Sequence, residues 1–261
     1  MSSYGIITLP IVPLRAEPRH ASEQESQLLF GELYEVLEEN TEWISIKCHY
    51  DNYEGYIPSG QHNPVDSVYA EKYLEATHQL LSEENTIIGS TGELKLSIGS
   101  SLPFLDSENK VSLGAQSFHL KENISPLKEG NKRELIDVFS RKYLNTSYLW
   151  GGKSQFGIDC SGFSQTVFRV CGISLPLPRN ASQQVLLGEE IELSKAKCGD
   201  LAFFTNPKGR VDHVGIMLNN HEIIHASHFV RIDDLDEKGI LNRITGKYTH
   251  PLFKIKRYIQ D

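Results

Sequence analysis

The sequence predicts an α+β chain in which one or two small β-barrels precede a larger domain of helices packed on an antiparallel sheet. Three observations carry this. The first 60 or so residues are short β-rich runs split by turns. From about residue 130 two amphipathic helix patterns come first and four strand candidates follow. Cys160 stands where a glycine-rich loop turns into the second of those helices, in "GGKSQFGIDCSGFSQTVFRVCG", residues 151–172. Helices followed by strands, rather than alternating with them, argue for segregated layers.

In the first segment "LLFGELYEVLEE", "EWISIKCHY" and "YEGYIP" mix β-branched and aromatic residues with polar ones, and "ENT" and "DN" separate them. This predicts a small barrel over 1–62. Residues 63–127 open with "SVYAEKYLEATHQLLSEE", helical or irregular, and continue as alternating runs cut by Gly, Ser and Asn-Lys turns. A second, degenerate barrel or a linker is expected there. In the domain over 128–261, "NKRELIDVFSRKYL" places Leu135, Ile136, Phe139 and Tyr143 near one helical face, with Asn131 as a cap. "GFSQTVFRVCG" aligns Phe163, Val167, Val170 and Cys171 and stops at Gly172, a C-terminal glycine. "DLAFFTN", "DHVGIMLNN", "HEIIHAS" and "PLFKIKRYI" are the strand candidates.

The 261 residues leave room for a sizeable core. Twenty-six Lys and Arg against 34 Asp and Glu give a net charge of −8, which argues against a nucleic-acid contact surface and for a small-molecule or peptide substrate. No apolar run approaches the roughly 20 residues of a membrane helix, and "MSSYGIITLPIVPLRAEPRH" lacks the pattern of a secretory signal, so a cytoplasmic location is expected. Cys48, Cys160, Cys171 and Cys198 form no CxxC pair. Cys160 and Cys171 stand about 16 Å apart on one helix, too far for a disulfide. Cys48, Cys171 and Cys198 are expected as buried apolar filler.

Cys160 is the candidate nucleophile. A thiol attacks as the thiolate, and an ordinary Cys with a pKa of about 8.5 is mostly protonated at neutral pH. A helix N-terminus would favour the charged form, and a histidine held by a third polar group would complete the activation. Of the ten histidines, His213 and His225 lie in strand candidates of the same region. If "DHVGIM" and "IIHASH" pair as a hairpin across "NNHE", these two are nearly opposed, so one can reach Cys160 while the other holds its imidazole. Asp159, beside the thiol, would disfavour its charge and needs a cation or backbone donors; a substrate ammonium and a helix-cap role are equally open.

"YLWGGKSQFGIDCSGF", "PRNASQQ", "CGDLAFF", "DHVGIM" and "IIHAS" stand in the order found in the NlpC/p60 family of papain-like cysteine peptidases, and the chain resembles that family over residues 130–261. Gly31 and Glu32, Trp43, and Gly55 through Pro58 resemble a bacterial SH3-like barrel. The resemblance implies Cys160 as nucleophile, His213 as base and then acid, and His225 as its orienting partner. It implies Tyr148 lining the site beside the oxyanion, and Asp159, Ser161, Trp150 and Arg179 contacting substrate. With the SH3-like module in front, the chain resembles the γ-D-glutamyl-L-diamino acid endopeptidases of cytoplasmic murein peptide recycling, of dipeptidyl-peptidase VI type. That branch implies a murein tripeptide or tetrapeptide with free N-terminal L-Ala as the partner, and Glu23 and Tyr56 as candidates for binding the amine. Ser147 in place of a common proline, a longer "LPLPRN" link and Asn180 for a frequent Asp depart from the pattern and bear on specificity.

No metal or cofactor is expected: "HEIIH", residues 221–225, spells HExxH but lies in a strand candidate, not on the helix that this zinc motif needs. A zinc site on Cys160, His213 and His225 is one rival, a non-catalytic wall-peptide binder another. An amidase, transpeptidase or acyltransferase on the same fold is the third.

Overall fold

The computed structural model describes residues 3–124 and 130–259. The chain divides into two compact units, Met1–Lys128 with Trp150–Ser154, and Glu129–Leu149 with Gln155–Asp261. The expected domain boundary at 127/128 falls outside the described residues.

In the first unit, seven antiparallel strands make one sheet: β1 (Ser3–Ile6), β2 (Ile11–Arg15), β3 (Gln24–Leu29), β4 (Leu33–Glu39), β5 (Trp43–Cys48), β6 (Glu54–Pro58) and β7 (Pro64–Val65), in the order β3-β2-β6-β5-β4-β1-β7. Period-two patterning explains the inner face. Val12 and Leu14 of β2 and Ile44 and Ile46 of β5 are buried in one cluster with Leu28, Tyr34 and Ile57. After helix α1 (Ser67–Glu75), capped by the Asp66 side chain, come β8 (Gln79–Leu80), β9 (Asn85–Gly89), β10 (Gly92–Leu96), β11 (Ser101–Leu102), β12 (Lys110–Leu113) and β13 (Gln116–Leu120). They form a four-stranded sheet, β10-β9-β13-β12, and a separate β11-β8 pair. The segment read as a second barrel or linker therefore folds as two small sheets. Its Leu96, Val111 and Phe118 share a core with Ile6, Phe30 and Leu33 of the first.

Trp150–Ser154, ending in β14 (Lys153–Ser154), belongs to this first unit. Gln24 donates to the Trp150 carbonyl at 3.0 Å, and the Lys153 N–H donates to Gln27 Oε1 at 2.9 Å. Gly151 sits at φ +74°, where a Cβ would stand 2.5 Å from the Gln24 carbonyl oxygen, so both its conformation and its lack of a side chain are required. Lys153 Nζ lies 3.5 Å from Glu32 Oε1, both side chains buried, while Glu32 Oε2 accepts the Leu29 N–H.

The second unit holds α2 (Lys132–Arg141), β15 (Gly157–Ile158), α3 (Cys160–Val170), the single turn α4 (Ala181–Gln184), β16 (Glu189–Ile191), β17 (Leu201–Thr205), β18 (Val211–Met217), β19 (Glu222–Ser227), β20 (Phe229–Asp236), β21 (Gly239–Asn242) and β22 (Lys247–Arg257). Asn131 caps α2 through the Arg133 N–H, and Ile136, Phe139 and Tyr143 are buried as the helical pattern requires. Cys171 ends α3 and Gly172 follows at φ +65°.

Four strands were expected here and seven form one sheet, ordered β16-β22-β17-β18-β19-β20-β21. A further pairing of β21 with β22 closes β17 to β22 into a six-stranded barrel. The long β22 makes closure possible, since Lys247–Pro251 pair with β21 and Leu252–Lys256 with β17. The expected α+β order holds, but the sheet is closed and outweighs the helices. In "FVRIDDLD" the alternation buries Arg231, Asp233 and Leu235, so charged residues fill two of the three inward positions.

Replacing Glu32 with Ala would leave the Lys153 ammonium buried without this partner, a change that costs about 3–5 kcal/mol. The urea midpoint of Glu32→Ala should fall accordingly; an unchanged midpoint would refute a stabilising role for the pair.

Candidate active site

The loop-to-helix turn predicted at Cys160 is present: Asp159 is the N-cap of α3 and its carboxylate accepts the Gly162 N–H at 2.7 Å. Asp159 also meets Arg179 through both oxygens, at 3.0 Å and 2.5 Å, and Arg179 Nη1 donates to Ser161 Oγ at 3.0 Å. The cation that offsets Asp159 is therefore Arg179, only 1% exposed, rather than one left for substrate to supply. Asp159, Ser161 and Arg179, all expected to touch substrate, are bonded to one another beneath the thiol.

Helix α3 is buried on nearly every side although it carries Ser164, Gln165 and Thr166. Gln184 of α4 explains part of this. Its Oε1 accepts from Ser164 Oγ, and its Nε2 donates to the carbonyls of Ser161 and Pro178. Gln165 donates to the Leu177 carbonyl.

The thiol points at β18. Its Sγ lies 3.9 Å from the Asp212 carbonyl oxygen, and the Val214 N–H also acts on it, so the sulfur sits against the backbone on either side of His213. Burial, and then the Asp159 carboxylate, push the Cys160 thiol up to about 12, against the opposing pull of the Val214 N–H, Arg179 and the Ser161 N–H. The helix N-terminus was expected to favour the charged form and Asp159 to disfavour it; desolvation and the capping carboxylate outweigh the helix. Burial, reinforced by His225, His250 and Arg231, holds His213 well below its ordinary value. The resting site pairs a neutral thiol with a neutral imidazole, which is the form that can take a proton.

His213 and His225 come together across the β18–β19 hairpin, His213 Nε2 to His225 Nδ1 at 2.8 Å. The register pairs Ile216 with Ile224 and Met217 with Ile223, so His225 stands opposite Gly215 and one diagonal step from His213. A Cβ on Gly215 would lie 2.8 Å from the His225 Cβ, so the glycine gives the ring its place.

Three neighbours went unread in the sequence. Asp233 Oδ2 lies 3.0 Å from His225 Nε2, Arg231 Nε donates to the same oxygen at 2.8 Å, and His250 stacks on His213 with ring centroids 4.3 Å apart. Asp233 and Arg231 sit in a strand whose charges resemble a solvated edge, and His250 comes from the distant β22.

Tyr148 is half-buried, bridges to Ile158 through its backbone, and has its phenol pushed up by burial and by Cys160 and Asp159. Trp150 is 59% exposed in the first unit, where Glu23 is exposed and Tyr56 half-buried. There Gln24, which directly follows Glu23, is in register with Arg15, and Arg15 with Tyr56. Cys48 and Cys171 are buried as expected, whereas Cys198 is half-buried and donates to the Arg133 carbonyl. Among the described residues no group of three or more His, Cys, Asp or Glu side chains is arranged to hold a metal ion, and no helix is long and apolar enough to cross a membrane.

A thiol at a helix N-terminus beside a linked pair of imidazoles is the equipment of a cysteine hydrolase. The sequence model of the NlpC/P60 family matches residues 145–249, and that of the bacterial dipeptidyl-peptidase SH3 domain matches 14–61. The chain is 31% identical over 224 residues to the gamma-D-glutamyl-L-lysine dipeptidyl-peptidase of Bacillus subtilis (strain 168), covering 77% of this chain and 72% of that protein. It is 26% identical over 266 residues to dipeptidyl-peptidase 6 of Lysinibacillus sphaericus, covering 92% and 94%. A crystal structure of an NlpC/P60 family protein from Bacillus cereus ATCC 10987 shares the fold with a TM-score of 0.82, at 20% identity over 99% of this chain and 100% of that one. The chain belongs to the NlpC/P60 family of cysteine peptidases and carries a bacterial SH3 domain ahead of the catalytic one.

A thiol raised to about 12 is protonated at pH 7, and its thiolate fraction grows about tenfold per pH unit until the pH nears that value. Alkylation of Cys160 by iodoacetamide, followed by peptide mass spectrometry, should keep accelerating from pH 7 to pH 10. A plateau reached below pH 7 would instead reveal a thiolate–imidazolium pair.

Proposed function

We propose that the protein is a cysteine endopeptidase that hydrolyses the γ-D-glutamyl-L-diamino acid bond of short murein peptides bearing a free N-terminal L-Ala, in cytoplasmic recycling of cell-wall peptides. The observation that carries the chemistry is the Cys160 thiol lodged against the backbone flanking His213, whose other side is held by His225 at 2.8 Å. The names of the Bacillus subtilis and Lysinibacillus sphaericus relatives support the bond and the dipeptide product.

In the proposed reaction His213 takes the thiol proton as sulfur attacks the γ-carbonyl carbon of D-Glu. The oxyanion is met by the Cys160 N–H at the start of α3 and by Tyr148, whose phenol stays protonated and can donate. Collapse breaks the C–N bond, and His213 delivers its proton to the departing amine of the diamino acid, lysine or meso-diaminopimelate. Water then gives a proton to His213 while its oxygen attacks the thioester, releasing L-Ala-D-Glu and restoring the thiol.

Asp159, Ser161 and Arg179 form the floor under the thiol, and any substrate contact they make adds to that role. Glu23 is the proposed carboxylate for the substrate ammonium, with Tyr56 and Trp150 as apolar surfaces. The adjacency of Glu23 to Gln24, which holds the Trp150 carbonyl, supports grouping them.

The test is mass spectrometry of L-Ala-γ-D-Glu-L-Lys and its meso-diaminopimelate counterpart, free and N-acetylated, incubated with wild type, Cys160→Ala and His213→Ala. Wild type should release L-Ala-D-Glu from the free peptides only, and both variants should lose turnover. Equal cleavage of acetylated peptide would remove the amine requirement, and normal turnover by either variant would remove the mechanism.

A further inference from the structure

We propose that Asp233 is a positioning residue which, acting through His225, fixes the proton of neutral His213 on Nε2 and leaves Nδ1 free to accept the thiol proton. The inference rests on the reading of His213 as the base.

A hydrogen bond between two nitrogens, or between a nitrogen and a carboxylate oxygen, needs one proton on it, and this decides the chain of donors from its buried end. Asp233 Oδ2 accepts from Arg231 Nε at 2.8 Å and Oδ1 accepts the Arg243 N–H at 2.9 Å. Burial works against the Asp233 charge, but hydrogen bonds from His225, the Arg243 N–H and Arg231 outweigh it and hold the carboxyl well below the usual range. An ionised carboxylate only accepts. His225 Nε2, 3.0 Å from Oδ2, must therefore carry a proton.

Burial pushes His225 below its ordinary value even with Asp233 beside it, so the ring is neutral and bears one proton. That proton is on Nε2, and Nδ1 is then an acceptor. The 2.8 Å bond from His225 Nδ1 to His213 Nε2 now needs its proton from His213. Neutral His213 thus holds Nε2–H, and its lone pair lies on Nδ1.

The opposite tautomer would place a proton where the thiol proton must go. Asp233 is completely buried and anchored on both oxygens, so the assignment is made in the resting protein rather than on substrate binding. When His213 gains a proton from Cys160, its Nε2–H already points along the relay to His225 and the charge of Asp233. No proton need move beyond His213.

The direct test is long-range 1H–15N correlation NMR of the full chain labelled with 15N-histidine at neutral pH, with His213 and His225 assigned through His213→Gln and His225→Gln. Both rings should show protonated Nε2 and bare Nδ1. A proton on Nδ1 of His213 would overturn the proposal whatever the substrate proves to be. Loss of cleavage by wild type on every murein peptide would instead count against the proposed function and leave the tautomer result standing.

In Asp233→Asn an amide takes the carboxylate's place. The change should lower kcat by about 10²- to 10⁴-fold with little change in KM, in line with the loss of about 10⁴ when the equivalent carboxylate of a serine protease triad becomes an amide. The spectrum of the variant should show the proton moved to Nδ1 of His213. Asp233→Glu, which keeps the charge, should recover part of the rate and the original tautomer. Wild-type kcat in folded Asp233→Asn, or reduced kcat with the tautomer unchanged, would overturn the role. If that variant fails to fold, the wild-type spectrum decides.

Discussion

The buried pair of Asp159 and Arg179 is the interaction on which the catalytic unit depends. The carboxylate accepts the Gly162 N–H and so sets where α3 begins, which puts Cys160 at the first helical position. Arg179 supplies the opposite charge in a place water does not reach and also holds Ser161. Uncompensated, such a carboxylate would cost several kcal/mol, so the cap and its cation form one device. It has a chemical consequence, because the negative charge that positions the thiol also disfavours the thiolate. In the proposed reaction a base accordingly removes the proton as attack proceeds.

The closed sheet carries His213, the proposed base. His213, His225 and Asp233 occupy three successive strands, β18, β19 and β20, each a diagonal step from the one before. Diagonal neighbours on one face of an antiparallel sheet are close enough for long side chains to meet. Gly215 makes room for the middle ring, and His250, arriving on β22 as the barrel closes, stacks over the first. A flat, open sheet would leave His250 distant. His213, His225 and Asp233 are all buried, and burial pushes both imidazoles below their ordinary value.

The first unit captures a piece of the catalytic sequence. Trp150–Ser154 begin two residues after Tyr148, yet their backbone is held by Gln24 and Gln27, and Lys153 is paired with Glu32. The "GE" turn that marks the SH3-like module in the sequence thus has a second purpose, since its glutamate receives a lysine from the "WGGK" loop.

What the sequence by itself determined is the chemistry that local patterning expresses. A cap, a cysteine and an apolar helical stripe mark α3, and the short link between two alternating runs brings His213 to His225, because hairpin register follows from loop length. It also carried the family, through five motifs in order. Tertiary structure alone decided which cation balances Asp159, that residues from the 63–124 stretch share the first unit's core, and that the sheet closes. It also brought Asp233, Arg231 and His250 to the imidazoles. These depend on contacts between residues distant in the chain or on charges whose burial is invisible locally. In "RIDD" Asp233 is buried and Asp234 half-buried, a difference that no local pattern announces. The thiol's raised pKa belongs to the same class, because desolvation is a property of the packed molecule and no residue type announces it.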